Sequence, residues 1–513
     1  MKAWTRREVL ALGATGLLAG CSPFRGSDGP SPTPSKRAAS TGAADWTRLA
    51  ATVDGRLSLP GSRAYHATRL VQNPRFDDNR PLAVLSVRST RDVATAVSFA
   101  QDHDVPVALR SGGHSYLGYS AGGAAGTGEP RSLVIDCRGL DSVDLAQDGS
   151  AIIGAGASLA TVYDAIGRRG RAIAGGSCAT VGIAGLTQGG GVGVLARAHG
   201  LTCDTVTALQ VVTADGATHT ATANDDPDLF WALRGGGGGQ LGVITSLTFQ
   251  TFTAPTINSF YLSWPIAAAA DIVDAWQSWA LAADKRLWST LKLLGGEKHP
   301  DGPIILVSGT WTGPRNALDA RLAGLLDHCP PPASRTASTR DYLEAMMAYA
   351  GCSRLPVARC NTDAGGGLER ESFAATSHVP YVKLRSDGIE DLLGQLRHAQ
   401  SPGLKEAGIS MDALGGVVRD VDPAATAFVH REALMTVQYT ATFAGDDAAR
   451  ADEYVRGFRN TMTRHWGEHA YVNYADKAVD NYRTAYFGTN ATRLSQVKRT
   501  YDPHGFFAQP QGF

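Results

Sequence analysis

Residues 175–193 read GGSCATVGIAGLTQGGGVG, eight glycines among nineteen residues with one cysteine. Glycine gives up more backbone freedom on folding than any other residue, so this density is tolerated where main chain must approach something closely or take positive φ. Flexible linkers of such glycine content are built from serine and glycine, whereas Cys178, Val181, Ile183 and Leu186 interrupt this one. A flat ligand lying against main chain is one structure that requires such a loop. A second stretch, residues 105–120, VPVALRSGGHSYLGYS, starts as an apolar run and ends in a polar glycine turn carrying His114, sixty-four residues before Cys178. Free backbone N–H groups in that turn, with Arg110 and Ser111 beside them, can cradle a phosphate.

At 513 residues the chain exceeds what one core usually serves, so two lobes are expected. Lys plus Arg equals Asp plus Glu at 48 each, which argues against a nucleic-acid partner held by backbone charge. Residues 1–20 are expected to be a targeting segment: Arg6-Arg7 precedes an apolar run through Leu18, the layout of a twin-arginine signal, too short for a membrane span. Leu18-Ala19-Gly20-Cys21 resembles a bacterial lipobox, which implies a lipid on Cys21 and a membrane anchor; a simple secretory peptide cleaved nearby is the alternative. Residues 21–45, rich in Ser, Pro, Gly and Thr, read as a disordered tether. In an exported chain Cys352 and Cys360, eight apart, offer a short disulfide loop, although no connectivity follows from sequence. Cys137 and Cys203 read as core residues, and no Cys/His cluster has the spacing of a zinc site.

Further along, a strand is expected over 82–87, a one-faced helix over 90–103 and a strand over 105–109. Other strands are expected at 133–136 and 151–153, a helix at 159–168, and a hairpin over 206–221 around Asp215-Gly216. From 256 to about 470 helical patterns at 272–281, 315–326 and 388–398 alternate with apolar runs at 304–307 and 434–442, the texture of an α+β domain.

Together the two glycine stretches resemble the berberine bridge enzyme-like flavoprotein oxidases of the vanillyl-alcohol oxidase superfamily. That family's pattern is R-S-G-G-H followed by G-x-C-x-x-V-G-x-x-G-x-x-x-G-G-G-x-G. The chain supplies it with Arg110, Ser111, Gly112, Gly113 and His114, then Gly176, Cys178, Val181, Gly182, Gly185, Gly189, Gly190, Gly191 and Gly193. Residues 471–507 resemble the family's C-terminal signature, including Y-x-N-Y at Tyr471, Asn473 and Tyr474. The resemblance implies an α+β fold. A two-lobed PCMH-type FAD-binding domain would comprise residues 46–255 and 471–513, with a substrate domain on an antiparallel sheet over 256–470.

The resemblance also implies FAD attached twice, through the His114 imidazole at the flavin 8α-methyl and the Cys178 sulfur at C6; a neutral imidazole nitrogen and a thiolate are the nucleophiles this needs. Ser115, Thr180, Val181, Gly182, Gly185, Gly190, Gly191, Val243, Tyr471 and Asn473 fall at cofactor-binding positions. Asn490 falls at one contacting the flavin edge, with a helix N-cap as the other reading. Tyr474 takes the family's base position for hydride transfer from an alcohol, provided a cation or donor stabilises its phenolate; a half-buried core strand suits Tyr471, Val472 and Tyr474 equally. Tyr116 matches a position on the substrate side of the flavin or is simple packing. Val181 sits where the family associates valine with oxidases and isoleucine with dehydrogenases, so molecular oxygen is the expected acceptor and a dehydrogenase the alternative. The implied substrate is a small-molecule alcohol, a sugar or a glycoside. Gln240 and Leu241 depart from the family's Asn and aromatic, and Leu186 replaces a histidine of some plant members. Against all this, Gly118-Tyr119-Ser120-Ala121-Gly122 matches a G-x-S-x-G hydrolase elbow, which needs a strand before Ser120 and a helix after it.

Overall fold

The computed structural model describes residues 41–123 and 129–513. The twin-arginine stretch, Cys21 and most of the expected tether lie outside them. The last residues assigned to the tether are in fact helical: Ala43–Thr52 buries Trp46 and Leu49, and Trp46 packs on Phe99 with ring centroids 5.0 Å apart.

The chain opens with the expected β-α-β unit. Ala83–Ser86, Thr90–Asp102 and Val107–Arg110 are its elements, and Leu133–Asp136 lies parallel between the two strands. Strand residues 83–85 and 133–135 are fully buried, as apolar runs covered on both faces must be. The Ser89 hydroxyl caps the helix by accepting the Asp92 N–H at 3.1 Å, worth about 1 kcal/mol. Val93, Ala96, Val97 and Ala100 fall on one stripe and are buried. A five-stranded antiparallel sheet follows, in the order Val143–Leu145, Ser150–Gly154, Val243–Gln250, Val206–Val212, Thr218–Thr222. Its hairpin turns at Asp215-Gly216, where Gly216 takes φ +78°. The core under these sheets also takes in Phe487, Leu494, Val497, Phe507 and Phe513, so the C-terminal segment returns to the first half of the chain.

Between them lies a second core under a seven-stranded antiparallel sheet, ordered Ser334–Arg340, Ile257–Pro265, Ile304–Trp311, Leu287–Gly295, Leu404–Ala413, Met435–Phe443, Ser372–His378. Strand periodicity of two sorts its side chains. Leu291, Leu293, Ile409, Met411, Val437 and Tyr439 point into the core with the helices Ala269–Ala282, Ser386–Leu396 and Ala448–Trp466. The alternate residues Thr290, Lys292, Ser410, Asp412 and Gln438 face the opposite way. The fold is therefore α+β with two domains. Buried Arg197 joins them, its guanidinium donating to the carbonyls of Leu287 (2.8 Å), Ala283 (2.7 Å) and Leu414. Arg75 forms a two-pronged pair with Asp452, both contacts 3.0 Å.

Candidate active site

The two glycine motifs meet main chain against main chain. A Cβ on Gly112 would stand 2.2 Å from the Gly182 nitrogen, and one on Gly182 would stand 2.2 Å from the Gly112 nitrogen. Each position thus demands glycine through close approach rather than through φ. The surroundings pin both loops: Ser111 Oγ donates to the Ala155 carbonyl at 2.6 Å, Leu159 N to the Val181 carbonyl at 3.0 Å, and the Tyr163 hydroxyl to the Gly176 carbonyl. Thr180 Oγ1 lies 2.8 Å from His114 Nε2.

The meeting point is one wall of a cavity of about 650 Å³. Residues 110–116, Cys178, Val181, Gly182, Gly185, Val243, Asn473 and Tyr474 line it from the first domain. From the second come Tyr261, Trp288, Thr290, Lys292, Ser308, Ser410, Asp412 and Gln438. The strand register explains this second set: Tyr261, Ser308, Thr290 and Asp412 form one rung, and Leu306, Lys292, Ser410 and Gln438 the next, all on the face away from the core. Tyr116 and Tyr474 stack with centroids 5.5 Å apart and planes 12° apart, a contact worth about 0.5–1.5 kcal/mol beyond its area. The Tyr116 hydroxyl accepts from Gln438 Nε2.

Charge in the cavity is sparse. Burial lowers the His114 pKa to about 4, so its imidazole is neutral at ordinary pH. Cys178 is exposed, but to the cavity's interior, and burial among its walls pushes the thiol up, partly offset by the Lys292 ammonium and the Ser177 hydroxyl. Burial pushes the Asp412 carboxyl up too, held back by Thr290 and Lys292. Tyr474 is raised well above the ordinary phenol value by burial first and then by Tyr116, Asp412, Tyr471 and Cys178. Among the described residues no cation or donor lowers the Tyr474 pKa, so the condition attached to that residue in the sequence is not met by a resident phenolate.

Several sequence candidates turn their side chains away from the cavity or stand outside its lining. The Arg110 guanidinium does not face a phosphate: fully buried, it donates to the carbonyls of Ser120, Thr68 and Arg69 and pairs with Asp136 at 3.3 Å. Gly190 and Gly191 do not line the cavity. They take φ +115° and +88°, packed against Phe428 and Thr202. Tyr471 lies behind the wall, 1% exposed, its hydroxyl accepting the Gly191 N–H at 2.9 Å and the Asn473 amide at 3.0 Å. Thr180 stands outside the cavity lining and touches His114 instead. Asn490 does not line the cavity; it occupies the N-cap position of the helix Ala491–Tyr501, as its other reading had it, but its side chain makes no capping bond and its amide donates instead to the carbonyls of Pro423, Thr426 and Ala427 at 3.3–3.4 Å. Ser120 sits in a 3-10 turn between Gly118 and Gly122, both at positive φ, with no partner for its Oγ among the described residues. Among the described residues no histidine reaches that hydroxyl and no helix follows it, which removes the hydrolase reading. Cys352 and Cys360 are paired, with Cα atoms 5.7 Å apart. Asp412, Lys292 and Gln438 went unread in the sequence, although a lone carboxylate in the alternating run ISMDA was a signal.

The lining fits a flat, polar-edged ring system such as FAD. A Cβ on Gly185 would meet nothing within 4 Å, leaving open space against the helix Ile183–Gln188. Buried Ser120 Oγ, Gln188 Oε1 and Trp288 Nε1 lack partners among the described residues and border that space. A neutral imidazole and a thiol face it together.

Comparison with known proteins agrees with this chemistry. Residues 81–222 match the FAD binding domain family, and residues 470–513 the berberine and berberine-like family. An uncharacterised FAD-linked oxidoreductase, YgaK, of Bacillus subtilis is 31% identical over 434 residues, 83% of this chain and 90% of its own. A chitooligosaccharide oxidase of Gibberella zeae is 28% identical over 447 residues, covering 84% and 87%. The structure of an Acremonium strictum glucooligosaccharide oxidase, described as holding a 6-S-cysteinyl, 8α-N1-histidyl FAD, superimposes with a TM-score of 0.80 at 25% identity, covering 91% of this chain and 98% of the other.

Proposed function

Because this chain belongs to the berberine bridge enzyme-like family of FAD-linked oxidoreductases, we propose that it is a carbohydrate oxidase whose FAD is attached through both His114 and Cys178. The observation that carries this is the convergence of His114 and Cys178 on one cavity, with Gly112 and Gly182 in backbone contact between them. The oligosaccharide oxidases among its relatives support a sugar or glycoside alcohol as substrate, and Val181 in the lining supports molecular oxygen as acceptor. Bound FAD supplies a hydride acceptor, and oxygen returns as hydrogen peroxide.

The chain's own residues handle the proton. A substrate hydroxyl in the cavity meets the stacked Tyr116–Tyr474 wall on one side and the rungs bearing Asp412 and Lys292 on the other. The Tyr474 hydroxyl receives the substrate proton while passing its own toward the Asp412 carboxylate, so no free phenolate has to exist in a site that disfavours one. Thr290 and Lys292, the latter in no ion pair among the described residues, favour the ionised Asp412 carboxylate against the burial that raises its pKa. Gln438 orients Tyr116.

Residues 5–21 support export by the twin-arginine route and a lipid on Cys21 that tethers the enzyme to the outer face of the membrane; fatty-acid labelling lost in Cys21→Ser tests this. The function itself is tested by screening oligosaccharides and other alcohols for peroxide release. Peroxide from a sugar by the wild type, with flavin reduction slowed at least about a hundredfold in Tyr474→Phe, is expected for a group in proton transfer. Electron transfer only to a dye would make the enzyme a dehydrogenase, and an unchanged rate in Tyr474→Phe would remove Tyr474 from the relay.

A further inference from the structure

Three side chains behind His114 serve no step described so far. Thr180 Oγ1 lies 2.8 Å from His114 Nε2 and donates to Gln72 Oε1 at 3.4 Å. Thr362 Oγ1 donates to the same Gln72 oxygen at 3.3 Å. Gln72 is itself anchored to the turn it serves, its backbone N–H donating to the Gly113 carbonyl at 3.1 Å. Thr362 comes from the second domain, two residues beyond the Cys352–Cys360 bridge. That bridged loop packs with Ala179, the neighbour of Cys178.

A threonine hydroxyl has one proton to give and two lone pairs. With the Gln72 oxygen facing it, Thr180 spends its proton on Gln72 and can only accept from His114. A neutral imidazole has a single N–H, and which nitrogen carries it follows from the partner of each. We infer that Thr180, Gln72 and Thr362 form a chain that holds His114 as its Nε2–H tautomer, leaving the Nδ1 lone pair as the atom that bonds to the flavin. The inference rests on the attachment of FAD to His114 proposed above and adds the residues that prepare that nitrogen. Burial keeps the His114 pKa low although a hydrogen bond to the Thr180 backbone raises it, and this fits, because a protonated ring has no lone pair to offer.

The attachment balances with molecular oxygen as the oxidant. Nδ1 forms a bond to the flavin 8α carbon, which loses one C–H bond. The 8α proton, the Nε2 proton and two electrons are taken up by oxygen, which becomes hydrogen peroxide. Nε2, now without its proton, becomes an acceptor, and the Thr180 hydroxyl turns from Gln72 to donate to it. Gln72 keeps Thr362 as a donor, so no buried group is left unpaired. Thr180 is a positioning residue in this scheme, acting through His114.

Peptide mass spectrometry on purified holoenzyme separates FAD on the His114 peptide from FAD on the Cys178 peptide. In Thr180→Val the hydroxyl is lost at nearly constant shape, and the rate of His114 attachment is expected to fall about tenfold, the loss of one buried hydrogen bond. Cys178 attachment persists, and Thr180→Ser restores the wild-type pattern. Gln72→Leu is an independent variant: it frees the Thr180 proton to donate to Nε2, favours the Nδ1–H tautomer and slows attachment as well. A wild type without FAD on His114 overturns the attachment reading and this inference with it. A wild type that carries it, beside Thr180→Val and Gln72→Leu proteins attached as fast, overturns the inference alone.

Discussion

Gly182 and Gly185 lie three residues apart in one loop, and alanine at the two positions should fail in opposite ways. At Gly182 the new Cβ falls 2.2 Å from the Gly112 nitrogen and 2.0 Å from Ser111 Oγ. The two motif loops must then separate by about 1.2 Å to reach the 3.4 Å of ordinary contact. Overpacking of this kind costs about 1–3 kcal/mol, and here it is backbone that must move. At Gly185 the Cβ meets nothing within 4 Å, and the residue is inside the helix Ile183–Gln188. There alanine stabilises the bare fold by about 0.5–1 kcal/mol. The methyl nevertheless projects into the space assigned to the flavin, where the same overpacking weakens cofactor capture roughly five- to 150-fold. The assay is a thermal melt of each purified protein, paired with FAD per chain in the acid-precipitated pellet. Gly182→Ala is expected to melt lower; Gly185→Ala is expected to keep its fold and lose flavin. A Gly185→Ala protein with a full complement of FAD would refute the placement of the ring, and a Gly182→Ala protein melting like the wild type would refute the loop contact.

Other outcomes follow from the same geometry. Turnover requires ionised Asp412, whose pKa is raised, so the rate of flavin reduction should rise with pH above the ordinary carboxylate range near about 4, and Asp412→Asn should abolish that limb along with most of the rate. His430 is 1% exposed and burial lowers its pKa to about 3. Below pH about 6.5 the unfolded chain binds a proton there that the folded one refuses, so stability is complete above that pH and falls by about 1.4 kcal/mol per unit down to the folded value. Denaturant melts of His430→Gln between pH 7 and 5 should show a shallower fall than the wild type. Ser120→Ala should leave peroxide release per bound FAD intact, since among the described residues no base reaches that hydroxyl and it borders only the space assigned to the cofactor; lost turnover with FAD fully attached would reopen its role.

Much of the first domain was legible because local chemistry and tertiary demand coincide there. The helix Thr90–Asp102 carries its cap and its stripe in sequence, and the glycines at 112 and 182 have no other explanation than close approach. The second domain was harder. The strand Ser334–Arg340 is polar but for Ala337, forms the edge of its sheet and shows no alternation to read. The strand Leu287–Gly295 is buried on both faces, so its period is blurred. Asp412 and Lys292 become site residues only through register with Thr290 and Ser410, a pairing of strands more than a hundred residues apart. Asn490 misled for the converse reason: a donor near a ligand motif looks like a ligand donor until the carbonyls that occupy it are seen, and Arg110, although it lines the cavity, has its guanidinium taken up by carbonyls in the same way.

The central claim is that His114 and Cys178 close on one flavin. Intact-mass and peptide analysis of denatured protein tests it most directly. The account predicts one FAD increment per chain, a yellow pellet after acid precipitation, and a proteolytic fragment in which the His114 and Cys178 peptides are joined through the same flavin. A colourless pellet, or FAD released whole with both peptides at their unmodified masses, would contradict it.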